Sequence, residues 1–549
     1  MSAAAVVAAG IGVIPATAQA ADPGPQGARV VAPSNGDVKK GAQSALKKFT
    51  SPAERSVTTS LPAAGGGAGA VQRAQGAEDG NPNLAMVLDA QSMSAHGFHL
   101  VTAISSADAS LNVTVDWGDS TPADQGDAYG SAELSYQHSY KELGKYNVTV
   151  TVEDPVNQKK VTNVLEIETA GSDFTPYGPT RLLDTRSGTG AAKGKVAAYS
   201  SAKLQVGGNG GIPAGVTAVA LNVTVTNATS GGHVTVFGSG TARPTTSNVN
   251  FEPGQTVPNL VIVPVGKDGK VELFNGGWEG VDLIADVTGY FGRKASSGYT
   301  GRDPQRLVDT REGLGTARGQ LGGQKTFTVK VAEPGQATAV ALNMTVTNPR
   351  EAGHLTAYPA GQAAPTTSNV NFTAGQTVAN AVIVPVGADG RITVRNGAWA
   401  GADVIVDIVG AYGTSSQGAY MPVEPWRMID TRAANWPYGP VSPRGYVVRD
   451  VSAGWPHVSG YVMNTTVTNT RGDGFLSVAP DPNTWESIEN GTDVWPPRPI
   501  ASTLNWTKGK TVPNLVQVSS GNNGVVDFWN QGWEEADLIV DMFGYYETN

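Results

Sequence analysis

The sequence RLLDTR at Arg181–Arg186 opens a pattern that the chain repeats twice, as RLVDTR at Arg306–Arg311 and RMIDTR at Arg427–Arg432. Each copy continues into an alternating Asn-Thr run, a Pro-Thr or Ser-Asn segment, a Gly-Trp turn and an apolar tail ending in aromatic residues. One marker position recurs at intervals of 121 residues, and such a long period indicates tandem duplication of whole domains. The marker positions are Asn222, Asn343 and Asn464.

The alternating run predicts one β-strand in each copy. In the first copy Val219 and Leu221 alternate with the small or polar Ala220 and Asn222. One apolar face and one polar face are the pattern of a half-buried strand. The later run Leu260–Val265 is apolar almost throughout, which predicts a strand covered on both faces. The sequence therefore predicts an all-β fold with three homologous β-sandwich or jelly-roll-like domains.

The three repeat domains are predicted at residues 176–292, 301–413 and 420–549. The linkers between them, Gly292–Asp303 and Gly413–Pro425, are short and rich in Gly and Ser. Linkers of this composition behave as flexible chains. We therefore expect the domains to sit as closely spaced beads that are semi-independent in orientation.

Composition excludes several classes of protein. Among 549 residues there are 69 Gly and 34 Pro, and only 15% are charged, which favours short strands joined by turns over long helices. The net charge of −9 leaves no basic surface for nucleic acid. The chain has no cysteine, so disulfides and thiolate metal sites are excluded.

The N-terminus is typical of an exported protein. An apolar run at Ala3–Pro15 precedes an A-x-A pattern at Ala18–Ala20, although no Lys or Arg comes before the run. We predict a signal peptide at 1–20 and an extracellular or cell-wall-associated protein. Residues 21–82 are rich in Ala, Gly and Pro, which predicts a disordered spacer. No later segment has about 20 consecutive apolar residues, so no membrane span is predicted.

Residues 83–170 carry short alternating runs that predict a small antiparallel sandwich. The sequence VDWGDS at Val115–Ser120, followed by HSYKELGKYNVTVTVED at His138–Asp154, resembles a PKD (polycystic-kidney-disease type) domain. The resemblance implies an Ig-like sandwich without catalysis, used as a spacer or ligand-presenting module. It also implies that Trp117 packs in the core and that Gly118 and Asp119 turn the chain.

From Arg181 to Asn549 the chain resembles a "LDTR…NVTVTN…SNVNF…DVxGYF" β-repeat module of secreted actinobacterial proteins. That module occurs beside PKD domains or cell-wall enzymes and has no assigned activity. The resemblance therefore implies a secreted context and no particular reaction.

Two recurrent carboxylates are the sharpest chemical signal. In the first copy Asp184 and Arg186 lie two apart, a spacing that places strand residues on one face, and Asp286 lies within the apolar last strand. A buried Asp is costly unless it meets a cation. We expect this Asp, or the Asp of the triplet, to pair with the triplet Arg and fix the first strand to the last. A pair of carboxylates flanking a glycosidic bond is the alternative. The corresponding residues of the other copies are Asp309, Arg311, Asp407, Asp430, Arg432 and Asp541.

Other catalytic patterns are lacking in the sequence. Only His233 and His354 of the six histidines occupy equivalent places, and the third copy has Phe475 there. No nucleophile elbow, zinc-protease motif or phosphate-binding loop is present, and no cofactor or metal is predicted. Oxygen ligands for calcium cluster in one turn, for which a solvated acidic turn is the favoured interpretation. These residues are Asp116, Asp119, Asp124 and Asp127.

Tryptophan distinguishes the third copy, which holds eight of the eleven in the chain. Its longer loop between Val478 and Asn505 combines Trp with Asn, Asp and Glu, as stacking on sugars and hydrogen bonding to hydroxyls require. The candidate binding residues are Trp485, Trp495, Trp436, Trp455, Asp493 and Asn490. Three further tryptophans recur at one turn of every copy and are predicted to be structural: Trp278, Trp399 and Trp533.

These patterns favour a non-catalytic adhesion or surface-binding protein that recognises polysaccharide or cell-wall glycan. Tandem domains support this function because several weak sites gain avidity together. The alternative is a scaffold or stalk that presents or assembles another secreted component, and a weaker alternative is a glycan hydrolase using paired Asp residues. The expected partner is a glycan or an extracellular protein, not nucleic acid.

Overall fold

A computed structural model describes the chain over five ranges, which are residues 27–32, 45–61, 80–294, 297–452 and 457–548. The predicted signal peptide lies outside these residues. Within them the chain is almost entirely β-structure, arranged in eight sheets, so the predicted all-β fold is confirmed. Helical structure in these ranges is confined to the 3-10 turn Ala53–Arg55 and the helix α1 at Trp485–Glu489. Neither of these two elements is long or apolar enough to cross a membrane.

The first ten strands precede the repeats. Their bounds are β1 (Arg29–Val31), β2 (Lys48–Ser51), β3 (Val57–Ser60), β4 (Ala85–Ser92), β5 (Gly97–Ser105), β6 (Ser110–Asp116), β7 (Asp124–Tyr129), β8 (Ala132–Ser139), β9 (Lys145–Asp154) and β10 (Lys159–Glu168). All but β1 form a two-sheet sandwich with the orders β2-β4-β5-β8 and β3-β10-β9-β6-β7. Trp117 is buried in its core, and Gly118, with φ of 76°, turns the chain after it.

Three strands fall within the region predicted to be a disordered spacer, so that prediction is wrong for their residues. Strand β2 pairs with β4, and β3 pairs with β10. Phe49 packs against the sandwich core, and the Ser51 hydroxyl donates a hydrogen bond of 2.7 Å to Asn163. Strand β1 pairs in parallel with a strand of the third repeat. Strands of three or four residues are too short to produce a periodic pattern.

Each repeat contributes eight strands. In the first repeat they are β11 (Asp173–Asp184), β12 (Ser201–Gln205), β13 (Ala218–Thr226), β14 (Gly232–Gly238), β15 (Val249–Phe251), β16 (Val257–Pro264), β17 (Lys270–Asn275) and β18 (Asp282–Gly292). In the second they are β19 (Gly298–Asp309), β20 (Thr326–Lys330), β21 (Ala339–Thr347), β22 (Gly353–Pro359), β23 (Val370–Phe372), β24 (Val378–Pro385), β25 (Arg391–Asn396) and β26 (Asp403–Gly413). In the third they are β27 (Ala419–Asp430), β28 (Tyr446–Asp450), β29 (Val458–Thr468), β30 (Gly474–Pro480), β31 (Leu504–Trp506), β32 (Val512–Ser519), β33 (Val525–Asn530) and β34 (Asp537–Glu547).

The eight strands of a repeat form a jelly roll. The first, eighth, third and sixth strands make an inner sheet, and the second, seventh, fourth and fifth make an outer sheet. All pairs between these strands are antiparallel. Two such interleaved four-stranded sheets are the jelly-roll arrangement. In the third repeat β1 adds a fifth strand beside β28.

The core of each jelly roll lies between its two sheets. In the first repeat Val219, Leu221 and Val223 of β13 face the outer-sheet residues Val236 and Leu273. The predicted apolar face of the alternating strand is therefore confirmed. The predicted two-sided burial of the Leu260–Val265 run is confirmed for Leu260–Val263 of β16.

The second face of the alternating strand is also buried, because the three inner sheets pack against one another. All nine residues of β13 and of β21 are buried. One apolar cluster joins all three repeats and includes Ala220, Ala341 and Val462. The expectation of semi-independent beads is therefore wrong: the linkers are short, but a shared core fixes the orientations.

The contacts between repeats close into a ring of three. The Asn222 side-chain amide donates a hydrogen bond of 2.7 Å to the Ser368 carbonyl of the second repeat. Asn343 makes the same bond to Ser502 of the third repeat, and Asn464 bonds Ser247 of the first at 2.9 Å. Each repeat thus contacts the next in one sense of rotation, and the third returns to the first. This is heterologous contact closed by threefold pseudosymmetry.

A second set of buried amides runs around the same ring. The amide groups of Asn259, Asn380 and Asn514 donate to the side-chain oxygens of the three Asn residues that mark the alternating runs, at 3.0–3.1 Å. Their own side-chain oxygens accept from backbone N–H groups of the neighbouring repeat at 3.0–3.4 Å. Buried amides are costly unless paired, so these bonds hold only when all three repeats are together.

One end of the ring is closed by backbone pairing and aromatic packing. Phe174 donates its N–H to Ser297 of the second repeat, and equivalent bonds join Tyr299 to Gly418 and Tyr420 to Ser172. Six rings fill the space between these strand ends: Phe174, Phe291, Tyr299, Tyr412, Tyr420 and Tyr546. We call this end of the ring the aromatic end.

The N-terminal sandwich contacts the aromatic end. Arg293 follows β18 and donates to the Thr169 carbonyl at 2.9 Å and to the Glu168 carboxylate at 2.8 Å. The carboxylate of Glu547, at the end of β34, accepts the Ala95 N–H at 2.6 Å. The sandwich therefore breaks the threefold symmetry at this end only.

Candidate functional site

The RLLDTR motif joins the first and last strands of each repeat. Arg181 of β11 is the direct register partner of Asp286 of β18. Its Nε and Nη2 donate to the two Asp286 oxygens at 2.8 and 3.2 Å, and its Nη1 donates to Asp184 at 3.2 Å. Arg186 also donates to both oxygens of Asp184, at 2.9 and 2.7 Å. Two guanidinium groups thus hold two carboxylates in fork geometry.

The same network recurs in the other repeats. The triplet Asp and Arg pair in every copy, at Asp184/Arg186, Asp309/Arg311 and Asp430/Arg432. The buried Asp of the last strand pairs instead with the first Arg of the motif, at Arg181/Asp286, Arg306/Asp407 and Arg427/Asp541. Of the two Asp residues predicted to pair with the triplet Arg, the triplet Asp is the observed partner. The first arginines were not predicted to pair, although they lie within the quoted motif. Their repetition at the first position of the motif in all three copies is the sequence signal that could have identified them.

The electrostatics differ between the two carboxylates. The Arg186 hydrogen bond lowers the pKa of Asp184, and Arg432 lowers the pKa of Asp430 to about 2. Burial raises the pKa of Asp286, while Arg181 opposes that shift. Guanidinium groups bind both carboxylates, so this network joins the first strand of each repeat to the last. We call this network of two Arg and two Asp residues the arginine clasp.

The Trp-rich loop of the third repeat covers the outer sheet. Trp485 on helix α1 packs against a buried cluster that includes Tyr446 and Trp529, and its Nε1 donates to Glu489 at 2.7 Å. Trp495 lies edge-on to Tyr446 with ring centroids 5.3 Å apart and remains 40% exposed. The loop is thus in large part a second small core on the outer sheet.

The remaining candidates of this loop have structural partners. Asp493 forms a salt bridge to Arg29 of β1, which holds the N-terminal strand, and Asn490 caps the C-terminus of α1. Trp436 lies apart from them, packs against the main core of the third repeat and donates to the Gly439 carbonyl at 3.0 Å. Trp455 lies outside the described residues. The structure therefore brings together Trp485, Trp495, Asp493 and Asn490 in one loop, without Trp436.

A buried carboxyl lies beneath this loop. Asp527 of β33 is 1% exposed, and burial raises its pKa well above the ordinary value, with the neighbouring Asp481 adding to the shift. Asp481 accepts hydrogen bonds from Asn483 at 2.7 and 2.8 Å. Burial and the second carboxyl both favour the protonated form of Asp527.

The three recurrent tryptophans are exposed. Trp278, Trp399 and Trp533 are 74%, 84% and 66% exposed, so the prediction that they are structural is wrong. The sequence pattern indicated only a turn, and a turn leaves the direction of its side chain open. Each side chain lies at the corner where the chain passes from the outer sheet to the inner sheet.

A buried Asn holds each of these Trp turns. The Asn275 amide donates to the Val196 and Glu279 carbonyls at 3.0 and 2.9 Å, and its oxygen accepts the Gly277 N–H at 2.9 Å. The turn is therefore bonded on both sides of Trp278. The equivalent residues Asn396 and Asn530 make the corresponding bonds in the other repeats.

A residue in the left-handed conformation lies beside each turn. It is Tyr199, Gln324 or Arg444, with φ between 54° and 58°. The Tyr199 ring lies edge-on to Trp278 at 5.6 Å, and the Arg444 guanidinium lies 5.1 Å from the Trp533 ring centre. The Gln324 amide donates to the carbonyl of Ala398, the residue before the second tryptophan, at 3.0 Å.

The Trp turns lie at the opposite end of the ring from the aromatic end. Strand β18 begins at Asp282, shortly after Trp278. Near its other end, Phe291 belongs to the aromatic cluster. Eleven residues of strand span about 33 Å at the usual rise of about 3.3 Å per residue. By the threefold relationship the three indoles lie at equivalent positions on that face, which we call the Trp face.

Among the described segments no group of three or more His, Cys, Asp or Glu side chains is placed to hold a metal ion. In the acidic turn of the N-terminal sandwich, Asp119 accepts hydrogen bonds from His138 and Thr121, and Asp124 accepts from the Trp117 indole.

Comparisons with known proteins do not identify a family for this chain. No protein-family model matches the chain, and no curated protein matches its sequence. A chain from the atomic structure of Sulfolobus turreted icosahedral virus aligns over 71% of this chain and 87% of its own length. The identity is 8% and the TM-score 0.14, a likeness that carries no argument about function.

Proposed function

We propose that the protein is a non-catalytic, exported adhesion protein that binds polysaccharide or cell-wall glycan. One observation carries this proposal: three equivalent exposed indoles, at Trp278, Trp399 and Trp533, belong to one closed ring. Tryptophan is enriched at interaction sites, where its large apolar ring contacts a partner and its N–H donates a hydrogen bond. Indoles suit the apolar faces of sugar rings because each presents a broad flat surface with one polar N–H.

The ring makes weak sites effective together. A second contact made by a rigid body has a high effective concentration, because the first contact already places it near the ligand. A repeating polymer offers the same group many times, so three fixed sites can engage one surface at once. Flexible beads would lose part of this gain to the entropy of orienting each domain.

A scaffold function is the second candidate, supported by a different observation. The N-terminal sandwich contacts the aromatic end through Arg293, Glu168 and Glu547, which leaves the ring as a rigid body with one attached module. Such a body would present or assemble another extracellular component without binding glycan.

Retention of the intact chain on insoluble glycans tests the proposed function. The panel is peptidoglycan, chitin, cellulose and whole cell wall, with the urea-unfolded chain as the control for non-specific adsorption. Retention of the folded chain alone on at least one glycan is the expected result. Failure of the folded chain to bind every member would overturn the adhesion proposal and favour the scaffold.

A further inference from the structure

We propose that the Trp face is a trivalent platform for a neutral polysaccharide, in which Trp278, Trp399 and Trp533 each stack on one sugar ring. This inference rests on the proposed adhesion function and names its site. The Trp face takes the place of the Trp-rich loop as the candidate binding site, because the aromatic residues of that loop pack largely against the protein itself.

Retention of an exposed residue in all three copies is the first support. The neighbours of the tryptophan change in the second copy, from Gly277 to Ala398 and from Glu279 to Ala400, whereas the third copy has Gly and Glu again. The buried Asn that holds the turn is retained, as packing requires. An indole that is mostly exposed contributes little to a core, so its presence in every copy points to contact with another molecule.

Rigidity is the second support. Each Trp turn is bonded on both sides by its buried Asn, so the backbone that carries the indole is fixed before ligand binds. A preorganised aromatic group loses little entropy on stacking. The ring then fixes the three turns relative to one another.

Hydrogen-bonding groups beside the indoles are the third support. Tyr199 lies next to the first turn and Arg444 next to the third, where they bring a hydroxyl and a guanidinium. Gln324 lies next to the second turn, but its amide is bonded to the carbonyls of Gly397 and Ala398. Sugar recognition combines an aromatic platform with a few such polar groups. Because the polar residue differs in each copy, the three subsites need not bind identical sugars.

The charge of the Trp face selects a neutral ligand. Glu279 follows Trp278, and Glu534 with Glu535 follows Trp533. Arg444 lies 5.1 Å from the Trp533 ring centre, and Arg471 forms a salt bridge to Glu535, so acidic and basic groups offset one another beside the third turn. A face without a strong charge of either sign does not attract an anionic polymer or an anionic membrane. A neutral polysaccharide with exposed pyranose faces fits both the indoles and this balance of charge.

The experiment compares the intact chain with Trp278→Ala, Trp399→Ala, Trp533→Ala and the triple variant. Probes are amorphous cellulose and chitin, an anionic polysaccharide, and phosphatidylcholine vesicles. Tyr129→Ala is the matched control, since it removes an aromatic group that is 67% exposed on the N-terminal sandwich. We expect each single change to lower apparent affinity for cellulose or chitin about tenfold and the triple change to lower it at least about a hundredfold. The control should change it less than about twofold, and all variants should keep the unfolding midpoint of the unaltered chain because the altered side chains are mostly exposed.

The outcomes separate the two proposals. Glycan retention that survives the triple change would overturn the platform and leave the adhesion function standing. A chain that binds no glycan would remove both. Trp-dependent binding to vesicles without binding to cellulose or chitin would identify a membrane surface and overturn the polysaccharide assignment.

Discussion

The side-chain amide of Asn222 donates a hydrogen bond of 2.7 Å to the backbone carbonyl of Ser368, which belongs to the next repeat. This bond and its two counterparts close the ring. Asn222 also accepts from the Asn380 amide at 3.0 Å. Its side chain therefore connects two polar groups of the neighbouring repeat.

Substitution of this residue tests the ring. Asn222→Ala leaves the Ser368 carbonyl and one Asn380 donor without their partner, which should lower the free energy of unfolding by about 1–3 kcal/mol. Asn343→Ala and Asn464→Ala should give matching losses in urea unfolding, since they hold equivalent positions. The exposed Asn112→Ala is the control, with an expected change within about 0.5 kcal/mol. A loss at one position with none at the others would contradict equivalence.

The buried arginine clasp predicts a larger effect. Arg306 is 10% exposed and pairs with Asp407, which is fully buried at 0%. Arg306→Met should cost about 3–5 kcal/mol in the free energy of unfolding, because it leaves a buried carboxylate without its cation. Arg391→Met removes a surface arginine 3.9 Å from Asp389 and should cost less than about 0.5 kcal/mol. Similar losses for the two variants would show that the clasp does not stabilise the repeat.

Asp527 predicts a pH dependence with a definite sign. Its pKa is raised in the folded chain by burial and by Asp481, so the folded state holds a proton that the unfolded state releases above pH about 4. The free energy of unfolding therefore falls as pH rises from about 4 toward the folded pKa, by about 1.4 kcal/mol per pH unit. Asp527→Asn cannot ionise and should remove this slope. Chemical unfolding of both chains at pH 4 and pH 7 measures the difference. An unchanged difference between these two pH values in the variant would show that Asp527 is ionised in the folded chain.

The local fold could be predicted from sequence because side-chain periodicity reports burial. Val219 and Leu221 face the outer sheet as their alternation indicated, and the apolar run of β16 is covered on both faces. The short strand β1 could not be predicted, since three residues carry no period and its partner lies more than 400 positions away in sequence.

The closed ring could not be predicted because the alternating pattern of the third strand allows two interpretations. Ala220 and Asn222 form a small, polar face that fits water and fits a partner sheet equally well. Only the contact with Ser368 and Asn380 distinguishes the two cases. The tryptophans were ambiguous in the same way. A Trp in a turn fits a packed side chain and an exposed one equally well, and only the structure shows that Trp399 is exposed.

The most direct test of the closed ring is a set of distances across the Trp face. The chain has no cysteine, so spin labels can be placed in pairs at Glu279→Cys, Ala400→Cys and Glu534→Cys, which are equivalent sites of the three repeats. Pulsed dipolar spectroscopy on the three double variants should give one narrow distance, the same for each pair, because the ring fixes the repeats around one axis. Broad distributions, or three unequal distances, would contradict the ring and restore independent domains.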